Sequence, residues 1–337
     1  MDVKLAARPL EASDLDAVVA IDASIVGRTR RGYFERRLAS ALRQPKLHAQ
    51  FAIVEGDGLA GYVLGRVLDG EFGRFEPALR LETIGVKREV RGRGLGLALE
   101  AALEQAARRQ GLAEMRTGAS WREHAMLRFL DGAGYRLASS RVIECSLAQA
   151  KLGSRDEEPV VIEERDRPGD RNDYGSPAPE RGEHLARDLA EVRSLTDGDL
   201  EAVTRIDRHL TGQDRAGYMR GKLDEALNDS AIRISLVALK DGAAAGYLMA
   251  AADYGDFGRP EPVAVIDTIG VDPGFAHAGI GRALLSQLFI NLAALRVERV
   301  ETVLATEHFD LLRFLYRAGF GPSQRLAFVK KLGGQPA

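Results

Sequence analysis

The sequence predicts an α/β protein made of two copies of one domain, each with helices layered on a mixed sheet. Three observations carry this. A chain of 337 residues is too long for one ordinary domain and comfortable for two of about 150. A register of matched residues recurs at a constant offset of 185 positions. Within each copy, runs of period two alternate with amphipathic runs of helical period.

The offset carries Glu71-Phe-Gly-Arg-Phe-Glu-Pro77 onto Asp256-Phe-Gly-Arg-Pro-Glu-Pro262, and Glu82-Thr-Ile-Gly-Val86 onto Asp267-Thr-Ile-Gly-Val271. It also relates Gly94-Leu-Gly96 to Gly279-Ile-Gly281, Leu127-Arg-Phe-Leu130 to Leu312-Arg-Phe-Leu315, and Ile21-Asp22 to Ile206-Asp207. Between residues 69 and 86, 10 of 18 positions are identical to their partners, too many for shared composition to explain. The copies are assigned to residues 1–150 and 189–337. The segment 151–188 between them is charged, rich in Pro and Gly and poor in apolar residues, so burial cannot offset its ordering entropy, and it reads as a flexible linker.

Each copy opens with a helix. Ser13 is placed as its cap ahead of Leu15, Val18, Val19 and Ile21, and Thr196-Asp-Gly-Asp199 opens the second copy in the same way. A second helix is expected over about residues 31–42, after the breaks at Gly27 and Gly32. Phe51–Val54 and Leu59–Leu64 flank Gly56-Asp-Gly58 and form a hairpin by turn chemistry. Leu81–Val86 reads as a buried strand. From Leu95 a helix runs to about Gln110, with Leu95, Leu99, Leu103 and Ala106 on one face and Glu100, Glu104 and Arg108 opposite. A strand near Met115, a helix from about Glu123 to Asp131 and strands around Leu137 and Val142 complete the copy.

Composition excludes several function classes. The formal net charge of −2 supplies no basic field for nucleic acid or an anionic membrane. No apolar run reaches membrane-spanning length, and Met1 to Arg8 lack the apolar core of a signal peptide, so a cytoplasmic protein is expected. The single cysteine, Cys145, permits no internal disulfide and reads as a small apolar filler. No His/Cys/acid group has metal-ligand spacing, so no metal is expected.

The most informative stretch is Val86-Lys-Arg-Glu-Val-Arg-Gly-Arg-Gly-Leu-Gly96, lying between a strand and a long helix. Glycines at such a turn let backbone amides converge on an anion, and the helix N-terminus adds its dipole. Arg91 and Arg93 add full charges suited to a pyrophosphate. A P-loop requires a lysine and then Ser or Thr after the last glycine, where Leu97 and Ala98 stand. A dinucleotide fingerprint requires a third Gly or Ala where Leu97 or Leu99 stands.

The pattern Arg91-Gly-Arg-Gly94-Leu-Gly96 resembles the Arg/Gln-x-x-Gly-x-Gly/Ala turn of the GNAT superfamily of N-acetyltransferases, and Gly134-Tyr135 resembles that family's late Gly-Phe. The resemblance implies two GNAT-like domains with mixed, mostly antiparallel sheets and acetyl-CoA as acyl donor. It assigns the pyrophosphate to Arg91, Gly92, Arg93, Gly94, Leu95 and Gly96, and the pantetheine arm to Ile84, Gly85 and Val86. In the second copy the same roles fall to His277, Gly279, Ile280 and Gly281, and to Ile269, Gly270 and Val271. There Ala276 replaces Arg91 and Ala278 replaces Arg93, which removes two charge-assisted contacts worth about 1.5–3 kcal/mol each. Weaker cofactor binding is therefore expected in the second copy, with partial compensation by His277 and Arg282.

The resemblance also implies an oxyanion donor at the Val86 or Val271 backbone amide and an acid-donating tyrosine four residues before the late glycine. That position holds Leu130 in one copy and Leu315 in the other, while Tyr316 sits about 100° further round the helix. Glu82 and Asp267, at equivalent points of the strand before the turn, are the first candidates for the base; Glu76 and Glu261 are the second. Trp121 follows the strand near Met115, where acceptor sites of this fold lie, and reads as a pocket residue or as packing; His124 and His308 lie near the start of the fourth helices, one residue out of register. The implied reaction is acetyl transfer to a primary amine of a small molecule, or to a lysine or N-terminus of a protein. The acidic loop residues Asp69, Glu71 and Glu76, and Asp253, Asp256 and Glu261, favour a cationic acceptor such as lysine or a polyamine by charge alone. The alternative is a non-catalytic acyl-CoA sensor or scaffold, or one active and one regulatory copy.

Overall fold

A computed structural model of the chain describes residues 6–56, 58–68, 76–150, 190–229, 232–253, 262–305 and 307–333. The expected linker and Glu261, with Asp69, Glu71, Arg74, Asp256 and Arg259, lie outside the described residues.

The first copy runs β1 (Arg8–Pro9), α1 (Leu15–Val26), α2 (Arg31–Arg43), β2 (His48–Glu55), β3 (Gly58–Leu68), β4 (Ala78–Val86), α3 (Leu95–Arg109), β5 (Glu114–Ser120), α4 (His124–Gly132), β6 (Arg136–Leu137) and β7 (Arg141–Ser146). The second runs β8 (Glu191–Ser194), α5 (Leu200–Thr211), α6 (Ala216–Asp224), β9 (Ile232–Arg233), β10 (Leu236–Lys240), β11 (Ala243–Asp253), β12 (Val263–Val271), α7 (Ile280–Ala294), β13 (Arg299–Leu304), α8 (Phe309–Arg317), β14 (Gly321–Pro322) and β15 (Arg325–Lys331). The expected elements of the first copy are all present, and the second repeats them.

The start of α1 differs in detail from the capping expected at Ser13. A 3-10 turn at Ala12–Asp14 precedes the helix, and the Asp14 carboxylate accepts from the Glu11 N–H at 2.8 Å and from Arg8 at 2.7 Å. Thr196, Asp199 and Arg193 repeat this arrangement in the second copy. A carboxylate three residues into the turn satisfies the orphan donors, so the serine is not needed.

The two sheets are mixed, as expected, but they do not follow the order of the chain. One has the order β1-β2-β3-β4-β5-β15-β6 and the other β14-β7-β13-β12-β11-β10-β8, with β9 beside β11. The strand around Val142, expected to complete the first copy, instead pairs with β13 in the second, from Arg141 opposite Leu304 to Ser146 opposite Arg299. In return β15 fills the gap between β5 and β6, with Phe328 opposite both Thr117 and Leu137. The copies have thus exchanged equivalent strands.

Side-chain burial follows the exchange. Ile143 and Cys145 of β7 join the core of the second sheet, and Phe328 of β15 joins Leu79, Leu99, Leu103 and Met115 in the first. Burial also pushes the Cys145 thiol up to about 11, consistent with a filler and not a nucleophile. Glu100, expected on the solvent face of α3, is only 3% exposed, because Lys330 of β15 reaches it at 2.9 Å. Among the described residues, no helix is long and apolar enough to cross a membrane.

Candidate functional site

Among the described residues, the only parallel pair in each sheet is the one beside the glycine turn. β4 pairs with β5 at Leu79–Met115 and Arg80–Arg116, and β12 with β13 at Ala264–Val300 and Val265–Glu301. Beyond these points the strands part. Hydroxyls of Thr117 and Thr302 hold the forks, donating to the carbonyls of Leu81 at 2.9 Å and Ile266 at 3.0 Å.

The fork leaves one edge of β4 and of β12 without a strand neighbour. The Lys87 N–H donates to the Ala60 carbonyl, so by strand alternation Ile84 and Val86 turn their own N–H and C=O groups to the opposite, open edge. Asp272 donating to Ala245 sets the same phase for Ile269 and Val271. Gly85 and Gly270 are glycine for a different reason: a Cβ there would lie 2.5 Å from the Tyr62 ring and 2.6 Å from that of Tyr247.

At the turn, Gly94 and Gly279 cap α3 and α7 with left-handed φ of 83° and 80°. Leu95 and Ile280 are buried in the cores. Gly96 and Gly281 admit Phe129 of α4 and Phe314 of α8, which lie 3.1 Å from where a Cβ would be. The motif therefore combines a left-handed helix cap with close helix packing. His277 stands at the position of Gly92, and both have positive φ, 60° and 79°. A histidine is strained there, so His277→Gly is expected to stabilise the protein by about 0.5–1 kcal/mol, seen as a higher midpoint in denaturant.

The arginines of the first turn are already engaged. Arg91 Nε donates to the Val86 carbonyl at 3.1 Å, and Arg93 pairs with Glu55 at 2.6 Å. Arg91 thus occupies one of the open-edge groups of β4. Ala276, its counterpart, has no side chain to reach Val271. In the second copy a cavity of 800 Å³ lies over Ile269–Val271 and the turn, with His277, Gly279, Ile280, Gly281 and Arg282 in its wall.

The two candidate bases have different settings, although each sits at a β-bulge where the register slips. Glu82 is 1% exposed and lies between Arg37 at 3.3 Å and Arg66 at 3.5 Å. Asp267 lies 3.2 Å from Lys222 and lines a cavity of 680 Å³ between the two sheets, as does Glu76. Leu130 and Leu315 are buried where the acid would be. Trp121 is 48% exposed and hydrogen-bonds Gln324.

A buried triad escaped the sequence reading. Asp22 pairs with Arg30 at 2.5 Å and accepts from the Tyr62 hydroxyl at 3.0 Å; Asp207, Arg215 and Tyr247 repeat it. Burial raises the pKa of both tyrosines. In the second copy the triad forms one wall of the cleft. Its signal was available, because all three residues recur at the 185-residue offset.

A forked parallel pair with a glycine-capped helix at its mouth, present twice, accompanies the family match. The sequence matches the model of the acetyltransferase (GNAT) family over residues 20–135 and again over 202–320, most of the chain. The chain belongs to the GNAT family. Its fold is shared with a tandem GNAT protein from the clavulanic acid biosynthesis pathway (19% identity, 98% of this chain and 99% of that one, TM-score 0.60). It is also similar to Saccharomyces cerevisiae N-myristoyltransferase with bound myristoyl-CoA (11%, 98% and 79%, TM-score 0.57). A third similar structure is a fungal multi-domain GH3 β-N-acetylglucosaminidase with a GCN5-related glucosamine N-acetyltransferase region (14%, TM-score 0.60). The alignment takes in 96% of this chain and spans 38% of that one. No curated protein sequence matches significantly. The GNAT fold supports acyl-CoA-dependent acyl transfer in general, and both copies carry the forked strand pair and the glycine-capped helix.

Proposed function

We propose that this GNAT protein transfers an acetyl group from acetyl-CoA to a primary amine, and that the transfer takes place in its second copy. One observation carries the reading. Glu307 and His308 line both the cleft at the second turn and the cavity between the sheets, so the two spaces meet at these residues. A donor in one and an acceptor in the other would come together there.

The cleft fits the donor. The α7 N-terminus and the amides at Gly279, Ile280 and Gly281 suit the pyrophosphate, with His277 and Arg282 beside them. The open-edge groups of Ile269 and Val271 suit the pantetheine amides. In the reaction, the amine nitrogen forms a bond to the thioester carbonyl carbon and the C–S bond breaks. The amine proton passes to His308, and the thiolate leaves with the electron pair and takes a proton from water. The Val271 N–H, on the open edge, is the oxyanion donor. Asp267, paired with Lys222 at the cavity wall, positions the amine; Glu82, sealed between two arginines, does not.

The sealing of Glu82 favours a second role for the first copy, binding acyl-CoA at Arg91–Gly96 without turnover. Calorimetric titration of acetyl-CoA is then expected to give two sites per chain. Gly279→Glu, which puts a negative charge at the α7 N-terminus, is expected to lower kcat/KM for thiol release by at least ~100-fold. Turnover within threefold of the parent would remove the second copy from the chemistry.

A further inference from the structure

The cavity between the sheets has walls of opposite charge. The first sheet contributes Arg80 of β4, Arg116 of β5 and Arg325 of β15. The second contributes Asp267 of β12, Glu301 of β13 and Glu307 beyond it. The copies diverged to make it so. Arg80 corresponds to Val265 at the 185-residue offset, and Arg116 to Glu301, a reversal of charge at equivalent points of the fork. Two acids, Glu76 and Glu114, also lie on the arginine side, but Glu114 is held by Arg116 at 2.5 Å and by Lys331. Arg325 is fixed with its Nη2 donating to the Gly118 carbonyl at 2.6 Å.

We infer that the acceptor is a small amphoteric amine: its amino group faces Asp267 and His308, and an acidic group at its other end faces Arg80 and Arg325. This rests on the acetyl-transfer reading above and adds the acceptor's class. The amine has to lie where the cavity meets the cleft, at Glu307 and His308, on the acidic wall. The far wall then presents guanidinium groups, whose planar forks match a carboxylate. A volume of 680 Å³ is that of a small-molecule site. A purely cationic acceptor, favoured by the loop acids alone, would place its second charge against arginines.

The test is a thiol-release assay on the full-length protein with acetyl-CoA. The acceptors are glycine, β-alanine, 4-aminobutyrate and 6-aminohexanoate, each against the alkylamine of the same chain length, with lysine against 1,5-diaminopentane. At least one acid-bearing amine is expected to exceed its partner about 30-fold in kcat/KM. Arg80→Gln is expected to cut that ratio at least tenfold through KM, and Arg80→Lys to keep part of it. Equal turnover of amines with and without the acid overturns the acceptor class and leaves the acetyl-transfer reading standing. A preference unchanged in Arg80→Gln overturns the arginine wall as its cause. No thiol with any amine overturns both.

Discussion

Truncating Phe328 to alanine is expected to unfold the N-terminal sheet first, although the residue lies near the end of the chain. Phe328 sits on β15 between β5 and β6, is 8% exposed and packs into the core around Leu79, Leu99 and Leu103. Removing a buried aromatic ring costs about 3–5 kcal/mol, a large share of the about 5–15 kcal/mol that holds a typical domain together. The loss falls where the ring is packed, so hydrogen exchange should read it in β5 and leave β13 protected. If β13 lost protection first, β15 would belong to its own copy in solution and the strand exchange would be wrong. The exchange also explains why the copies should resist separation: each sheet lacks a strand until the other copy supplies it.

Much of the fold was legible because it is local. The hairpin of β2 and β3 and the strand, glycine turn and helix from Leu81 to Arg109 depend on neighbours a few residues apart, and the structure shows each of them. Sheet membership was not legible. Residues 141–146 and 326–331 are equivalents under the 185-residue offset, so each satisfies either sheet and no periodicity separates the choices. The same long range hid the setting of two acids. Glu100 looks solvent-facing until Lys330, 230 positions away, is placed beside it. Glu82 and Asp267 read as equals because their strands match, yet Arg37 and Arg66 close over one and the other lines a cavity. The arginines of the first turn gave the clearest family signal. In the structure Arg91, expected at the pyrophosphate, bonds the Val86 carbonyl on the edge expected to serve the pantetheine arm, while the copy that lost both arginines has a cavity over the equivalent edge.

Replacing Glu225 by alanine is expected to cost about 3–5 kcal/mol and to loosen the joint between the copies. A run of ion pairs crosses that joint: Glu82 lies 3.5 Å from Arg66, Arg66 bonds Glu225, and Glu225 lies 3.2 Å from Lys222, which lies 3.2 Å from Asp267. Arg66 and Glu225 are 11% and 15% exposed, so removing the carboxylate leaves a guanidinium poorly solvated and short of a partner. Acid should act in the same direction on the parent. Desolvation at Glu225 is outweighed by Arg66 and Lys222, which hold its carboxyl below the usual range. Its contribution is present above the unfolded carboxylate pKa and is lost as pH falls through the lower folded value. His48, next to this network, is pushed down to about 3 by burial and by Arg66 and Arg37. Its neutral form is favoured by folding, so stability declines further as pH drops from about 6.5 toward about 3, where only the unfolded chain takes up the proton. Denaturant unfolding from pH 7 to 4 should therefore show falling stability in the parent, with a shallower fall at the acid end in Glu225→Ala. A loss below about 1 kcal/mol in that variant at pH 7, with an unchanged pH slope, would mean that this run of ion pairs does not hold the joint.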